Sequence, residues 1–447
     1  MFRLLATRHL PAHRRALHLG HLPNSTSPIV STLSFFNSVT NATQDKIATF
    51  RVLDGVGRPV EGAQLPDVWG LTHSTQIDEA FARRLYENMQ LLPTLDSVLY
   101  NIQRQGKTSF HMTSYGEEAT IIGSAAALEA DDEILGQYRE MGVLLWRGFS
   151  IDSIMAQCFG NQDDTSGKGR QMPVHFGSKK LHFHTISSPL ATQIPQAAGV
   201  GYALRRTVDR RDRSIAACFF GEGAASEGDF HAGMLLASTI PSPTLFIARN
   251  NGFAISTPSS EQYYGDGIAS RGPGYGIDTV RVDGNDILAV IAAVREARKR
   301  TLEQGRAVLV EAMSYRVGHH STSDDSFAYR QRSEVEDRKR VDNPIARFRL
   351  FMESQGWWNA EEEEALKTRL KADVMQAFKR ADALQRCELG ELFTDVYGGE
   401  EPWNITAQRD ELSALLKKYG STWEPWRTEL NRFKNEGRDL MQAQTDA

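Results

Sequence analysis

The sequence has 447 residues, of which 40% are hydrophobic and 24% charged, with a net charge of −5 at neutral pH. This composition is typical of a globular protein with room for two or three domains. The longest apolar runs, such as 287–294, are too short to cross a bilayer, so we expect no membrane partner. The chain is slightly acidic, so we expect no nucleic-acid partner. The widely spaced Cys158, Cys218 and Cys387 predict reduced thiols rather than a disulfide framework or a zinc site.

The first 44 residues differ from the rest. They are rich in Arg, Ser, Thr and His, and Asp45 is the first acidic residue. This composition, without a long apolar block, is typical of a mitochondrial transit peptide. We therefore expect residues 1–44 to be removed and the mature protein to lie in the mitochondrial matrix. The alternative is a disordered tail with no targeting role.

The next part of the chain predicts helices and one long loop. A helical pattern covers 78–105 and contains Pro93, which should kink or divide the helix. Residues 108–128 predict a short extended piece followed by an Ala-rich helix. The polar, glycine-rich stretch 160–180 predicts a loop, and 192–206 a helix that packs closely through Ala and Gly.

The middle of the chain has the pattern of a parallel sheet. Apolar strands are predicted at 214–220 and 244–249, with a helix at 226–239 between them, and a further strand at 307–316. Strand, helix and strand form a βαβ unit, so we predict an α/β fold with a mostly parallel sheet and helices on both faces. A charged helix farther on carries an apolar stripe formed by Leu366, Leu370, Val374, Phe378 and Leu384.

Polar residues follow two of these predicted strands. Glu222 lies between Gly221 and Gly223, and Asn251 ends the next apolar run. Neighbouring parallel strands end at the same edge of a sheet, so these two side chains should converge. Carboxylate, amide and backbone oxygens suit Mg²⁺, and glycines beside a helix N-terminus suit a diphosphate. The pattern predicts a magnesium–diphosphate site; the alternative is a sharp turn with a helix cap at Ser226.

A Gly-acid-Gly followed by Asn-Asn resembles the thiamine-diphosphate motif. The flanking stretches resemble the alpha subunits of mitochondrial branched-chain 2-oxoacid dehydrogenases, from about residue 50 to about residue 420. Most members of the wider family have Asp in place of Glu222, and relatives often have Tyr in place of Phe253. The stretches that carry the resemblance are "FGEGAASEGD", "RNNGFAISTP", "YRVGHHSTSDDS", "GKGRQMPVH" and "SSPLATQIPQA".

The resemblance implies a thiamine-diphosphate-binding fold and a division of the chain. An N-terminal arm with helices is expected at 45–107, the cofactor-binding α/β domain at 108–345, and a helical C-terminal region with a tail at 346–447. It also implies that Glu222, Asn251 and the carbonyl of Phe253 ligate magnesium. The residues that would bind the cofactor are Tyr138, Arg139, Ser188, Gly223, Ala224, Arg249 and His320, with Arg249 complementing the diphosphate charge.

Two further positions gain a role from the resemblance. Ser188 and His320 would be catalytic, and we prefer His320 to His319 because the family position contacts the diphosphate and assists acyl transfer. Imidazole suits that task because its pKa lies near the working pH. The segment before the helix at 192–206 would hold a structural potassium ion, although its residues alone would indicate a capped helix start. The potassium ligands would be Ser187, the carbonyl of Pro189, Thr192 and Gln193.

The resemblance also implies inhibitory phosphorylation of Ser321 by a regulatory kinase, reversed by a phosphatase. We interpret 318–330 as a mobile polar loop in which a phosphate would repel Asp324 and the cofactor. Gln331 occupies the second phosphorylation position of the family, and Ser333 is a poor substitute. We therefore predict a single site.

The implied reaction is oxidative decarboxylation of the 2-oxoacids of Leu, Ile and Val. The sequence lacks a second half with the Glu that activates the cofactor, which in the family comes from a beta subunit. We expect two alpha and two beta chains that deliver the acyl group to a lipoyl domain of the transacylase. The alternatives are a pyruvate dehydrogenase alpha subunit, a non-catalytic regulatory paralogue or, least favoured, a stand-alone decarboxylase or transketolase.

Overall fold

The computed structural model describes residues 46–61 and 77–430. The predicted transit peptide, residues 1–44, and the end of the predicted tail, residues 431–447, lie outside the described residues. From Ile47 onward the described residues belong to one unit.

The described strands form one large sheet and one hairpin. The large sheet has the order β1-β7-β8-β4-β3-β2 with every neighbouring pair parallel, and β5 pairs with β6 antiparallel. The strands are β1 (Thr49–Phe50), β2 (Glu133–Leu135), β3 (Ala216–Gly221), β4 (Thr244–Asn250), β5 (Phe253–Ala254), β6 (Thr257–Pro258), β7 (Asp278–Asp283) and β8 (Val308–Met313).

Helices flank the sheet and make up the C-terminal part of the described chain. They are α1 (Glu79–Arg104), α2 (Glu118–Ala126), α3 (Met141–Trp146), α4 (Ile151–Phe159), α5 (Gln193–Arg206), α6 (Gly228–Thr239), α7 (Ser259–Gln262), α8 (Ile287–Gln304), α9 (Arg332–Val341), α10 (Pro344–Ser354), α11 (Ala360–Ala383), α12 (Trp403–Lys418) and α13 (Arg427–Leu430).

Each face of the sheet has its own core, as the alternation of side chains along a strand requires. Phe219 of β3 faces a core that contains residues of α2 and α8. The next residue, Phe220, faces the opposite core, which contains residues of α5 and α6. The predicted α/β fold with helices on both faces is therefore confirmed.

The structure narrows one element prediction, that Pro93 would kink or divide its helix, and corrects the end of another helix. Helix α1 runs through Pro93 without being divided, because Leu92 and Leu95 on either side are fully buried and their packing outweighs the roughly 3 kcal/mol cost of an internal proline. The apolar stripe of α11 packs against α1 and α4, but Leu384 lies one residue beyond the helix, in extended backbone.

Candidate active site

The carboxyl ends of β3 and β4 bring Glu222 and Asn251 together. Gly221, the last residue of β3, pairs with Arg249 of β4, so both strands leave the sheet at the same level. The backbone N–H of Asn251 donates to a Glu222 carboxylate oxygen at 3.3 Å, and both side chains are buried. Two residues that are 29 positions apart in sequence therefore share one site.

The Glu222 carboxyl lacks full charge compensation. Burial raises its pKa to about 7, and the nearby Glu117 carboxylate adds to the rise. A cation beside this group would stabilise the charged form. The described residues contain no cluster of three or more His, Cys, Asp or Glu side chains around a metal position. A magnesium ion here would therefore depend also on the Asn251 amide and the Phe253 carbonyl, both oxygen donors that the ion accepts.

Hydrogen bonds fix the orientation of the Asn251 amide. Its Nδ2 donates to Glu117 Oε1 at 2.9 Å, and its Oδ1 accepts the backbone N–H of Phe253 at 3.2 Å. The Phe253 carbonyl accepts Arg316 Nη1 at 3.2 Å and keeps a second lone pair. The oxygen and nitrogen ends of the amide are thus held in defined directions.

Arg249 is part of a buried ion network at the floor of the site. Its Nη1 lies 2.6 Å from Glu117 and its Nε lies 2.5 Å from Glu140, and all three side chains are almost fully buried. Burial opposes charge on Arg249, but these two carboxylates outweigh it and raise the pKa of Arg249. The resemblance implied that Arg249 complements a diphosphate. The structure instead shows a guanidinium whose charge two carboxylates already compensate.

Arg139 and Tyr138 lie against His320. Arg139 Nη2 donates to His320 Nδ1 at 3.1 Å and to its carbonyl at 2.8 Å, and the Tyr138 ring packs edge-on against the imidazole. Arg316 Nη1 also lies 3.3 Å from Nδ1. Because a guanidinium can only donate, Nδ1 must be the acceptor, and the neutral ring carries its proton on Nε2.

The protonation state of His320 differs from the expectation. Burial, followed by the charges of Arg139 and Arg316, lowers the pKa of the imidazole to about 3. The pKa therefore lies below the range that we expected, and His320 is a neutral hydrogen-bond donor at neutral pH. His319 has a structural role, since its Nδ1 accepts the backbone N–H of Ser326 at 3.0 Å.

One cavity of about 480 Å³ collects most of the candidate residues. It opens at the carboxyl edge of the sheet between β3, β4 and the loop that contains His320. All residues proposed for magnesium or the cofactor line it: Tyr138, Arg139, Ser188, Glu222, Gly223, Ala224, Arg249, Asn251, Phe253 and His320.

The turn after Glu222 is compact. A Cβ on Gly223 would lie 3.0 Å from the Ala254 side chain. A 3₁₀ turn, Ala224–Ser226, then leads to α6, whose N-cap is Glu227. The alternative of a helix cap at Ser226 is therefore wrong, and the Ser226 hydroxyl instead lies 3.4 Å from the Glu222 carbonyl.

Of the candidate potassium ligands, Pro189 and Thr192 lie in the turn before α5, and Gln193 is the first residue of that helix. Thr192 Oγ1 donates to the Pro189 carbonyl at 3.3 Å, and Gln193 Nε2 donates to the Phe219 carbonyl of β3 at 3.0 Å. Ser187 is exposed. The turn thus places Pro189 and Thr192 in contact and anchors Gln193 to the sheet.

The loop that contains Ser321 is packed, in contrast to the mobile loop that we expected. Ser321 is only 8% exposed. Thr322 exchanges two hydrogen bonds with the backbone of His111, and the Asp324 carboxylate accepts the backbone N–H of His320 at 2.8 Å. The loop therefore connects the candidate phosphorylation site to His320 through Asp324.

Four cavity or network residues were missed from the sequence: Gln137, Glu117, Glu140 and His175. Gln137 Oε1 accepts the Gly221 backbone N–H at 2.8 Å. The signals were the acids in "YGEEA" and "QYRE", which stand beside apolar helix starts, and the His of "MPVH". Isolated acids and a lone His look like surface residues unless their burial is known.

No helix of the described residues is long and apolar enough to cross a membrane.

Comparison with known proteins identifies the family. The model of the family "Dehydrogenase E1 component" matches residues 86–389. The human 2-oxoisovalerate dehydrogenase subunit alpha, mitochondrial, is 50% identical over 374 residues, which cover 84% of this chain and 81% of that protein. The protein of the same name from Caenorhabditis elegans is 50% identical over 370 residues, covering 83% of each chain.

A plant relative extends the comparison. The 2-oxoisovalerate dehydrogenase subunit alpha 1, mitochondrial, of Arabidopsis thaliana is 48% identical over 380 residues, 85% of this chain and 78% of that protein. The mitochondrial location that we expected is confirmed by these relatives. The chain therefore belongs to the dehydrogenase E1 component family, among the alpha subunits of the 2-oxoisovalerate dehydrogenases.

Proposed function

We propose that this chain binds thiamine diphosphate and magnesium and decarboxylates branched-chain 2-oxoacids, from which the acyl group passes to the lipoyl group of a transacylase. The observation that carries the proposal is the convergence of Glu222 and Asn251 at the carboxyl ends of β3 and β4. The printed names of the relatives support a branched 2-oxoacid substrate.

Glu222, Asn251 and the Phe253 carbonyl would hold the magnesium ion. The raised pKa of Glu222 supports this assignment, because a buried carboxyl gains most from a nearby cation. Gly223 and Ala224 would bring the backbone close to the diphosphate. When bound, thiamine diphosphate supplies the nucleophilic carbon and the electron sink for loss of carbon dioxide.

His320 and Arg139, which line the same cavity, would contact the diphosphate. The orientation of His320, with Nδ1 turned to Arg139, leaves Nε2–H as the donor for a ligand. An anion close to the ring would raise its pKa again. Tyr138 would hold the ring in place, and Ser188 would face the substrate at the cavity mouth.

Potassium at Ser187, Pro189, Thr192 and Gln193, and inhibitory phosphorylation of Ser321, are further parts of the proposal. The potassium site is supported by the contact between Thr192 and the Pro189 carbonyl. The phosphorylation site is supported by the short path from Ser321 through Asp324 to the His320 backbone.

A beta subunit would complete the site, as the words "subunit alpha" in the names of the relatives suggest. Its expected contribution is the carboxylate that activates the cofactor. We propose an assembly of two alpha and two beta chains in the mitochondrial matrix, with an N-terminal transit peptide on the precursor.

Co-expression with the beta subunit tests the proposal. Decarboxylation of 4-methyl-2-oxopentanoate and of pyruvate would be measured with and without thiamine diphosphate and magnesium. We expect activity that requires both additions and favours the branched substrate. A preference for pyruvate would replace the substrate assignment, and an inactive assembled protein would indicate a regulatory paralogue.

A further inference from the structure

A buried histidine lies directly behind the serine at the cavity mouth. His175 is 5% exposed, and its Nε2 lies 2.6 Å from the hydroxyl oxygen of Ser188. Both residues line the cavity that contains Glu222 and His320. The roles proposed above include Ser188 but not His175.

The surroundings of His175 define which nitrogen carries its proton. Nδ1 lies 3.0 Å from the carbonyl of Pro173, which can only accept a hydrogen bond. Nδ1 must therefore be the protonated nitrogen of the neutral ring, and Nε2 carries the lone pair. The Ser188 hydroxyl then donates to Nε2.

The backbone around His175 is held in an unusual conformation. Val174, a buried β-branched residue, has a φ of +64°, which such residues rarely adopt. Gln157 from α4 holds this turn at two points, since its Oε1 accepts the Val174 N–H at 3.0 Å and its Nε2 donates to the Met172 carbonyl at 2.7 Å. Strain that the surroundings maintain in this way is often found at functional sites.

We propose that His175 is a positioning residue that fixes the direction of the Ser188 hydroxyl. With the serine proton directed to His175, the lone pairs of the Ser188 oxygen point away from the imidazole and are available to the cavity. The group that Ser188 contacts there must then carry a proton, so the amino group of the bound cofactor fits and the carboxylate of the 2-oxoacid does not. This inference rests on the proposed function, because it assumes a substrate in this cavity.

The test compares His175→Phe, His175→Gln, Ser188→Ala and the double variant His175→Phe/Ser188→Ala in the assembled enzyme. Phe fills the space but cannot accept the serine proton, whereas the Gln side-chain oxygen can. We expect Ser188→Ala and His175→Phe each to lower kcat/KM by about 10- to 100-fold. Since the two residues act as one unit, the double variant should match the single variants to within about threefold.

His175→Gln should retain kcat/KM to within about threefold of the wild type, because the hydrogen bond is restored. The control is His184→Gln, which changes an exposed histidine of the same segment and should leave kcat/KM unchanged. Any of three results would overturn the inference. They are additive losses in the double variant, wild-type activity of His175→Phe, and a His175→Gln variant as impaired as His175→Phe.

Two measurements separate this inference from the proposed function and from misfolding. An assembled wild type that fails to bind thiamine diphosphate in calorimetry would refute the proposed function before any variant is compared. Neutron diffraction from crystals of the assembled wild type would locate the protons independently of any substitution. We expect deuterium on His175 Nδ1 and a Ser188 deuterium directed at Nε2, and the opposite tautomer would overturn the inference.

Discussion

Buried charges at the carboxyl edge of the sheet determine what the cavity can bind. Glu117 and Glu140 pair with Arg249, and Arg139 also lies 4.0 Å from Glu117. Glu117 stays charged because Arg249 and Arg139 outweigh its burial and lower its pKa. Glu222, the residue that faces the proposed magnesium ion, has no ion-pair partner among the described residues, and burial raises its pKa.

Replacing either of the two side chains proposed as magnesium ligands should weaken binding of the cofactor. We expect Glu222→Ala and Asn251→Ala in the assembled protein to weaken thiamine-diphosphate binding by at least ~100-fold and to abolish activity, because loss of one oxygen ligand weakens the ion and the diphosphate together. Titration calorimetry with magnesium and thiamine diphosphate measures this. Glu261→Ala, an exposed acid after the hairpin, is the control. Unchanged cofactor affinity in both site variants would refute the ligand assignment.

Glu118 gives a prediction about pH. This fully buried side chain accepts the Gly116 N–H, and burial raises its pKa to about 8. The ordinary pKa of a Glu side chain is near 4.5, so between about pH 4.5 and pH 8 the unfolded chain releases a proton that the folded protein keeps. The contribution of Glu118 to the free energy of unfolding therefore falls as the pH rises through that window.

Glu118→Gln cannot release that proton. As the pH rises from 5 to 9, the Glu118→Gln variant should therefore gain on the order of 2 kcal/mol of unfolding free energy relative to the wild type. Thermal or denaturant unfolding at a series of pH values measures the shift, with the exposed Glu129→Gln as the control. A constant difference across the range would show that Glu118 is charged in the folded protein.

At the scale of elements, the contact between α5 and α6 depends on a glycine. A Cβ at Gly233 of α6 would lie 2.7 Å from the Ile194 side chain and 2.8 Å from the Pro195 backbone nitrogen of α5. The same atom at Gly199, on the exposed side of α5, would have no neighbour within 4 Å. Within α5 itself, a Cβ at Gly201 would lie 2.4 Å from Thr244 Oγ1, so the close packing predicted from the Ala and Gly content of α5 is confirmed there.

The two glycines should respond to Ala in opposite directions. Gly233→Ala should lower the free energy of unfolding by about 1–3 kcal/mol, because a backbone neighbour cannot move aside cheaply. Gly199→Ala should raise it by roughly 0.5–1 kcal/mol through helix propensity alone. Denaturant unfolding of both variants measures the pair, and a stabilised Gly233→Ala variant would contradict the packing.

The loop from His319 to Ser326 is the second element with a testable role. A charge at Ser321 would enter a mostly buried position close to Asp324, which already binds the His320 backbone. We expect Ser321→Glu in the assembled enzyme to lower activity by ~10-fold or more, because repulsion should open the loop, much as a phosphate carrying about −1.5 to −2 charges would. Rates with free 2-oxoacid and with a lipoyl domain measure the effect.

Ser333→Glu is the matched control for the loop. Ser333 is exposed on α9, so a negative charge there should leave both rates unchanged. Wild-type rates for Ser321→Glu in both assays would remove the proposed switch. An equal loss in Ser333→Glu would contradict the single site.

For the whole molecule, the mouth of the cavity is the feature that bears on assembly with a second subunit. Its mouth exposes apolar side chains of Met172, Leu190 and Ile255, and exposed apolar groups around a site often mark a protein interface. We expect the purified chain alone to bind thiamine diphosphate weakly and not to turn over 2-oxoacid. Calorimetry and a decarboxylation assay before and after addition of the beta subunit measure this. Robust turnover by the homogeneous chain would refute a site shared between subunits.

Much of the fold could be predicted from the sequence, because its signals are local. The apolar run before Gly221 and the run before Asn250 correspond to β3 and β4, and the loop at 160–180 contains only short turns. The sequence predicted that Pro93 would kink or divide α1, and the helix is not divided because both flanking turns are buried, which is a property of the packed molecule. The convergence of Glu222 with Asn251 was predictable because strand order and spacing alone imply it.

Local sequence patterns were enough to predict the strands β3, β4 and β8, the pairing of an acid with an amide at the edge of the sheet, and the family. The charge states in the cavity could be read only from the folded molecule. Arg249 is paired with Glu117 and Glu140, and His320 is neutral between Arg139 and Arg316. The physical reason is that a pKa depends on burial and on charges within a few ångströms. In this protein those charges come from elements that are far apart in sequence.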